Sequence, residues 1–518
     1  MSVTRREFLS RVGQAGGYAA TFATMQALGL LPMKAEQMQS VQAAPGIGKG
    51  KKIVVAGAGV AGLCAAYEAK KLGYDVTLLE ANNRPGGRVW TGRAGDVVEF
   101  VDGTKQTIEW SKGLYQNMGA GRLPSIHGTT LGYVREFKIP MEVEVNTSRS
   151  TLLQNDRING GKPYTQRKVV NDSRGHVSEL LAKSVAGGTL DQEFSADDKK
   201  RLMDFLAYYG PLDKAGKYVG SDRADIKQYP GAGPVDMIVD PDTIPLHTLL
   251  AANFLGYEMY EESWDWQATM FQPVGGMDAI PYAFAKRLGA SLVLNAPVTG
   301  IAKTGSTPGS GVTVTYTHDG AEKSLAADYC ICAMPLTILR QIKADLDPAH
   351  RDAVAKANYR GSYKIPWEGP RFWETDYNIY GGLSFLTQGP SPVWYPSADL
   401  FSERGIVVAG YQDESIEGFN KLTLPQMFAR SRASVQRLHP GHADKLEKPI
   451  YVGWKRMKWF EGSWIGTQPA AEYDVMIQPD GPIYFAGDAM SHVVGWQEGG
   501  LLSGIRALQM ISDKVKAA

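Results

Sequence analysis

The chain has 518 residues, 55 Lys and Arg against 54 Asp and Glu, and a formal net charge of +1. This length accommodates two or three domains with full cores, and the balanced charge excludes a bulk electrostatic case for nucleic acid. Three cysteines are too few for a disulfide scaffold.

The first 45 residues stand apart from the fold. Thr4-Arg5-Arg6-Glu7-Phe8-Leu9 matches a twin-arginine export signal, and a weakly apolar stretch runs from Val12 to Leu31. Gln42-Ala43-Ala44 reads as a cleavage end. Such a leader is an address read by the twin-arginine export machinery rather than a membrane span. It predicts a periplasmic or secreted protein, folded around a cofactor before export.

From Lys51 the sequence predicts a dinucleotide-binding βαβ unit. Ile53 to Ala56 is a short β-branched run of the kind found in buried parallel strands. Gly57, Gly59 and Gly62 follow in GxGxxG spacing, and Ala61 lies within it. The spacing allows a tight turn, close backbone approach to a pyrophosphate, and packing of helix on strand. A helix from about Ala61 to Leu72 aims its N-terminus at the phosphates. Val76 to Leu79 reads as the second strand, with Glu80 at its end to accept hydrogen bonds from a ribose.

The stretch Glu80-Ala81-Asn82-Asn83-Arg84-Pro85-Gly86-Gly87-Arg88-Val89 resembles the FAD-binding signature of flavin amine oxidases, a family that includes monoamine, polyamine and L-amino acid oxidases. The resemblance implies that Glu80, Ala81, Arg84, Gly87 and Arg88 continue the cofactor site along the diphosphate and ribityl chain. It implies an α/β fold: a Rossmann-type FAD-binding domain built from discontinuous segments, with an interleaved α+β substrate domain. The expected FAD-binding pieces are residues 46–130, 291–355 and 469–518. The substrate domain takes residues 131–290 and 356–468.

Asn117-Met118-Gly119-Ala120-Gly121-Arg122-Leu123-Pro124 is similar to the NLGPMRLP-type segment of L-amino acid oxidases. There the arginine pairs with the substrate α-carboxylate, a role suited to its planar fork. Arg122 is the corresponding residue, and Gly119, Ala120 and Gly121 accompany it along the cofactor. Gly121 departs from the pattern, which has Met.

The middle of the chain is less informative. Val177 to Tyr208 and His247 to Glu262 read as helical, and Pro230 to Pro245 as a proline-punctuated loop. Trp264, Asp265, Trp266, Gln267 and Phe271 are expected on the substrate domain. Ser291 to Ile301 reads as one strand, whose Val298 the resemblance places near the adenine. Gly311 to Tyr316 and Lys323 to Cys332 read as an antiparallel pair, with Cys330 and Cys332 on one face. Tyr359 to Tyr411 reads as β-rich, and Leu422 to Leu438 as a helix.

Lys364, in Ser362-Tyr363-Lys364-Ile365-Pro366, matches the family lysine that holds a water against the flavin's reactive nitrogen, and is the catalytic candidate. Val393-Trp394-Tyr395-Pro396 resembles the segment whose tyrosine contacts the carboxylate's second oxygen, which nominates Tyr395. Gly495 and Trp496 resemble the pair that receives the substrate amino group and walls the pocket. Gly487 and Asp488 match the turn that faces the ribityl and phosphate region.

No HExxH, CxxC or zinc spacing occurs, and no metal is expected. No cysteine follows Cys332, so the FAD is expected to be non-covalent. The expected function is oxidative deamination of an L-amino acid, with molecular oxygen as acceptor, to a 2-oxo acid, ammonia and hydrogen peroxide. The alternatives are oxidation of primary amines or polyamines, and a non-catalytic exported flavoprotein. The resemblance also admits a homodimer.

Overall fold

The computed structural model describes residues 38–305, 310–466 and 468–517. The twin-arginine motif and its apolar stretch lie outside the described residues. Residues from 38 onward, assigned to the leader by sequence, pack on the cofactor domain. Met38, Val41 and Ala43 join its core, and the Gln42 amide donates to Gln509.

Five parallel strands form the cofactor sheet, in the order Leu292–Val293, Asp75–Leu79, Lys52–Ala56, Tyr329–Cys332 and Ile483–Phe485. Strands from three distant parts of the chain therefore share one sheet. Ile53 pairs with Tyr329 and Cys330 with Ile483. The central strands are apolar and buried because helices cover the sheet, as an all-parallel arrangement requires. The helix Val60–Lys71 follows the glycine turn. The C-terminal helix Gln497–Ala517 crosses it closely, because a side chain at Gly504 would collide with the Ala61 carbonyl at 2.4 Å. None of the helices among the described residues is long and apolar enough to cross a membrane.

Two sequence expectations change here. The run Ser291–Ile301 divides into Leu292–Val293, in the cofactor sheet, and Val298–Lys303, in a separate four-stranded sheet. Asn295 at φ 52° and Pro297, which has no amide hydrogen, break the run. The run Lys323–Cys332 divides likewise. Ala321–Ala327 pairs antiparallel with Val312–His318, and Tyr329–Cys332 joins the parallel sheet instead. The Asp328 amide hydrogen-bonds the Lys52 carbonyl at that crossing.

The substrate region is built on a seven-stranded sheet containing Ser362–Pro370, Arg404–Asp413 and Val393–Trp394. The helices Gln166–Ala186 and Leu246–Ala252 pack on it, Ala196–Tyr209 packs on Gln166–Ala186, and Met141–Val145 and Thr269–Pro273 form a separate two-stranded ribbon. The loop at Pro230 to Pro245 carries half of a small hairpin, Ile226–Gln228 with Ile238–Val239. The helix Leu424–Leu438 begins with a capping box between Thr423 and Gln426.

Candidate active site

The glycine turn sits at the carboxyl end of Lys52–Ala56, where ligands bind in open α/β sheets. Gly62 is required for packing, since a Cβ there would lie 2.0 Å from the Gly57 carbonyl oxygen. Gly59 opens onto free space and caps the helix N-terminus. The second glycine turn is fastened to the first: the Gly86 amide donates to the Ala58 carbonyl at 2.8 Å. Glu80 accepts the Ala58 amide at 2.7 Å and the Asn82 amide at 2.9 Å, so the acid braces the turn. The backbone also ties Glu80 to the Val298 segment, through the Ala296 amide and the Glu80 carbonyl. Arg84 donates to the Gly87 carbonyl at 2.9 Å.

Gly59, Ala61, Gly86, Arg88, Gly119, Ala120, Gly121, Arg122, Gly487, Asp488, Gly495 and Trp496 line one cavity. The donor set fits a dinucleotide: a glycine turn with open space, an exposed helix N-terminus, and an arginine paired to an acid at the far wall. Residues from both ends of the chain meet there. Arg88 bonds Asp488 at 2.5 Å, and Asp488 also accepts the Gly495 amide at 3.1 Å.

At the substrate end, Arg122 is 5% exposed. Its Nη1 donates to Asn146 Oδ1 at 2.5 Å and its Nη2 to the Tyr260 hydroxyl at 2.9 Å. The guanidinium lies between two indoles, 4.2 Å from the Trp266 ring centre and 4.5 Å from that of Trp394. A guanidinium has five N–H donors. Two are committed here, and the others have no hydrogen-bond partner among the described residues.

Lys364 is 2% exposed and donates to the carbonyls of Asn117 at 2.7 Å and Gly119 at 2.8 Å. Burial first, and the neighbouring Arg122 second, pull its pKa down to about 7. Glu144 is 1% exposed and is pushed up to about 7 by burial, against the opposing pull of Arg122 and a hydrogen bond from Trp394. The site thus places two buried groups, a lysine and a glutamate, whose shifted titrations fall together near neutrality.

Trp496 donates through Nε1 to Asp265 at 2.8 Å and meets His127 and Trp266 edge-on. Of the residues expected on the substrate domain, Trp266 reaches the cavity, whereas Trp264 is exposed. Gln267 bonds Ser125 and orients Asn146 through its carbonyl.

Tyr395 is placed differently from expectation. Its hydroxyl shares hydrogen bonds with Ser384 Oγ at 2.8 Å and His439 Nε2 at 2.6 Å, outside the cavity that Arg122 lines. Side chains alternate along an extended chain, so Val393 and Tyr395 enter one core and Trp394 the opposite side. Trp394 faces the cavity instead. The sequence reading also passed over Tyr260, Tyr411, Asn146, Glu144, Trp454 and Trp464. For Glu144 and Asn146 the signal was present: polar residues two apart in Met141-Glu142-Val143-Glu144-Val145-Asn146 share one strand face.

The sequence model of the family described as flavin containing amine oxidoreductase matches residues 60–511. YobN of Bacillus subtilis (strain 168) is 25% identical over 496 residues, covering 88% of this chain and 93% of that protein. The L-amino-acid oxidase of Echis ocellatus is 27% identical over 482 residues, covering 89% of each chain. Among solved structures, cyclohexylamine oxidase from Brevibacterium oxydans IH-35A superposes with a TM-score of 0.59 at 18% identity, covering 90% of this chain and 99% of that one. Putrescine oxidase bound to putrescine gives a TM-score of 0.57 at 19% identity, with the same coverage. At these identities the two structures establish the fold.

Proposed function

The chain belongs to the family of flavin-containing amine oxidoreductases, and from that premise we propose that it is an L-amino acid oxidase using non-covalent FAD. One observation carries the reading. Arg122 is buried at the cavity wall, held by Asn146 and Tyr260, clamped between Trp266 and Trp394, and still has donors to spare. A simple amine offers nothing for such a group, whereas an α-carboxylate satisfies it with charge-assisted bonds. Relatives named L-amino-acid oxidase agree with this.

When bound, the flavin supplies the redox chemistry by accepting a hydride equivalent from the substrate Cα. The protein binds, orients and excludes water. Arg122 fixes the carboxylate, and Trp496 and the Gly495 backbone wall the amine side. Lys364, half-charged near neutrality, holds a proton at Nζ beside the reacting atoms. The amino acid loses two electrons and two protons, and the imino acid hydrolyses to a 2-oxo acid and ammonia. Molecular oxygen takes the electrons and protons as hydrogen peroxide. All three cysteines are buried in the core and none lines the cavity, which supports non-covalent attachment at least as regards thiols. The leader supports twin-arginine export, which a fractionation of the native host tests. A homodimer is tested by light scattering.

The test of function is anaerobic bleaching of the flavin by a panel of L-amino acids, D-amino acids and primary amines, followed by air. Bleaching by L-amino acids, with peroxide on reoxidation, is expected. Bleaching by amines alone would replace this reading with a primary-amine oxidase, and a flavin that nothing bleaches would favour a non-catalytic flavoprotein.

A further inference from the structure

We propose that Trp394 is a partition that makes a free α-carboxylate a condition of binding, and that Glu144 and Gly121 hold it in place. The proposal rests on the amino-acid reading above and names the residues that enforce it.

Trp394 and Gly121 line two cavities at once. One is the cavity of the candidate site, and the other is a small space behind the indole, also lined by Asn117, Glu144, Gln272 and Arg371. The indole stands between them. A Cβ at position 121 would lie 2.6 Å from Trp394 Cη2, so only glycine leaves the ring this position. That accounts for the departure of Gly121 from the Met of the L-amino acid oxidase pattern. On the other side Glu144 Oε1 accepts the indole Nε1–H at 2.8 Å, while its Oε2 is buried without a hydrogen-bond partner. The ring is wedged by a missing side chain at one edge and pinned by a buried carboxylate at another.

The same ring stacks on Arg122. A carboxylate that Arg122 receives therefore sits beside the indole. An amide, an ester or a further peptide residue on that carboxyl needs room that the indole occupies. Glu144 and Gly121 act through Trp394 and are positioning residues. Trp394 sets the specificity.

The test compares anaerobic flavin reduction by L-phenylalanine, L-leucine and L-lysine with reduction by their primary amides and methyl esters. The wild type is expected to prefer the acids strongly. Trp394→Leu is expected to raise amide and ester reduction, shifting the acid-to-amide ratio by about tenfold or more, as expected for relieving a steric exclusion. The gain is expected in the half-saturating concentration of the amide relative to that of the acid. Glu144→Gln keeps an acceptor for the indole and is expected to retain the wild-type ratio, whereas Glu144→Leu shifts it as Trp394→Leu does. Flavin content and thermal melting establish that each variant folds. If Trp394→Leu does not fold, Gly121→Ala, which displaces the ring, carries the comparison. A wild type selective for acids whose folded variants keep the same ratio overturns the partition alone. A wild type reduced equally by acids, amides and simple amines overturns the amino-acid reading, and the partition with it.

Discussion

Arg88 and Asp488 stand 400 residues apart in the chain and meet at 2.5 Å, Nη2 to Oδ1. The pair ties the arginine tail of the first βαβ unit to the turn before the C-terminal helix. Asp488 also accepts the Gly495 amide, so one carboxylate holds both the cofactor wall and the loop bearing Trp496.

Replacing Asp488 by Ala leaves Arg88 without its anion and frees the Gly495 loop. Losing a charge-assisted bond of this kind costs about 1.5–3 kcal/mol. The purified variant is expected to carry less flavin, read as a lower ratio of visible to ultraviolet absorbance. A full complement of flavin would show that the pair has no part in retention.

On the proposed amino-acid reading, Arg122→Ala removes the partner of the substrate carboxylate. The expected loss is about 2–4 kcal/mol of charge-assisted contact, or roughly 30- to 1,000-fold in apparent affinity for amino acids. Anaerobic titration of the flavin spectrum with a competitive carboxylate measures it directly. An unchanged affinity would remove the arginine from the substrate site.

Tyr395→Phe distinguishes the side chain's observed place from the one its motif suggested. The hydroxyl is bonded to Ser384 and His439 in the core. Its removal is expected to lower stability by about 1 kcal/mol and to leave the Michaelis constant unaltered. A steep rise in that constant with unchanged melting would return Tyr395 to the carboxylate.

Lys364 makes a prediction about pH. Unfolded, its ammonium titrates near about 10.4, and folded it titrates at about 7. Between these values the unfolded chain holds more protons, so wild-type stability rises with pH across the window. The cost of burying the charge is complete below about 7. Lys364→Met removes this dependence. Its melting temperature relative to wild type is therefore expected to shift in the variant's favour as pH falls from about 10 to about 7. A difference that stays flat across the window would mean that Lys364 is not desolvated. Glu144 titrates in a lower window, between the usual carboxylate value and about 7, and contributes in the opposite direction there.

Much of the cofactor side was legible because its physics is local. A glycine turn, the strand before it and the helix after it lie within a few residues of one another, and their spacing is imposed by the close approach of backbone to phosphate. The helix was read from about Ala61 to Leu72 and runs from Val60 to Lys71. The strand errors at Ser291–Ile301 and Lys323–Cys332 share another cause. Both were read as single runs across residues that disfavour strands, Asn295 and Pro297 in one and Asp328 in the other, and the sheet to which each half pairs shows that the run divides there.

The substrate side was legible by motif but not by facing. Val393-Trp394-Tyr395-Pro396 contains two aromatic residues, and the period of two along the chain permits only one of them to face the cavity. Which one depends on how Val393–Trp394 pairs with Leu383–Leu386 and Arg404–Asp413. Tyr260 had no motif at all, and Asn146 and Glu144 had only their spacing of two along one strand, because all three meet Arg122 or Trp394 from other segments of the chain.

The sequence by itself determined the family and the Rossmann-type cofactor fold and nominated Arg122 for an anion, since each reading is written in short stretches whose chemistry depends on spacing alone. Only the tertiary structure decided that Trp394 rather than Tyr395 faces Arg122, that a side chain at Gly121 would collide with that indole, and that Glu144 accepts its N–H. Those relationships depend on strand register and on contacts between distant segments, which no local pattern encodes.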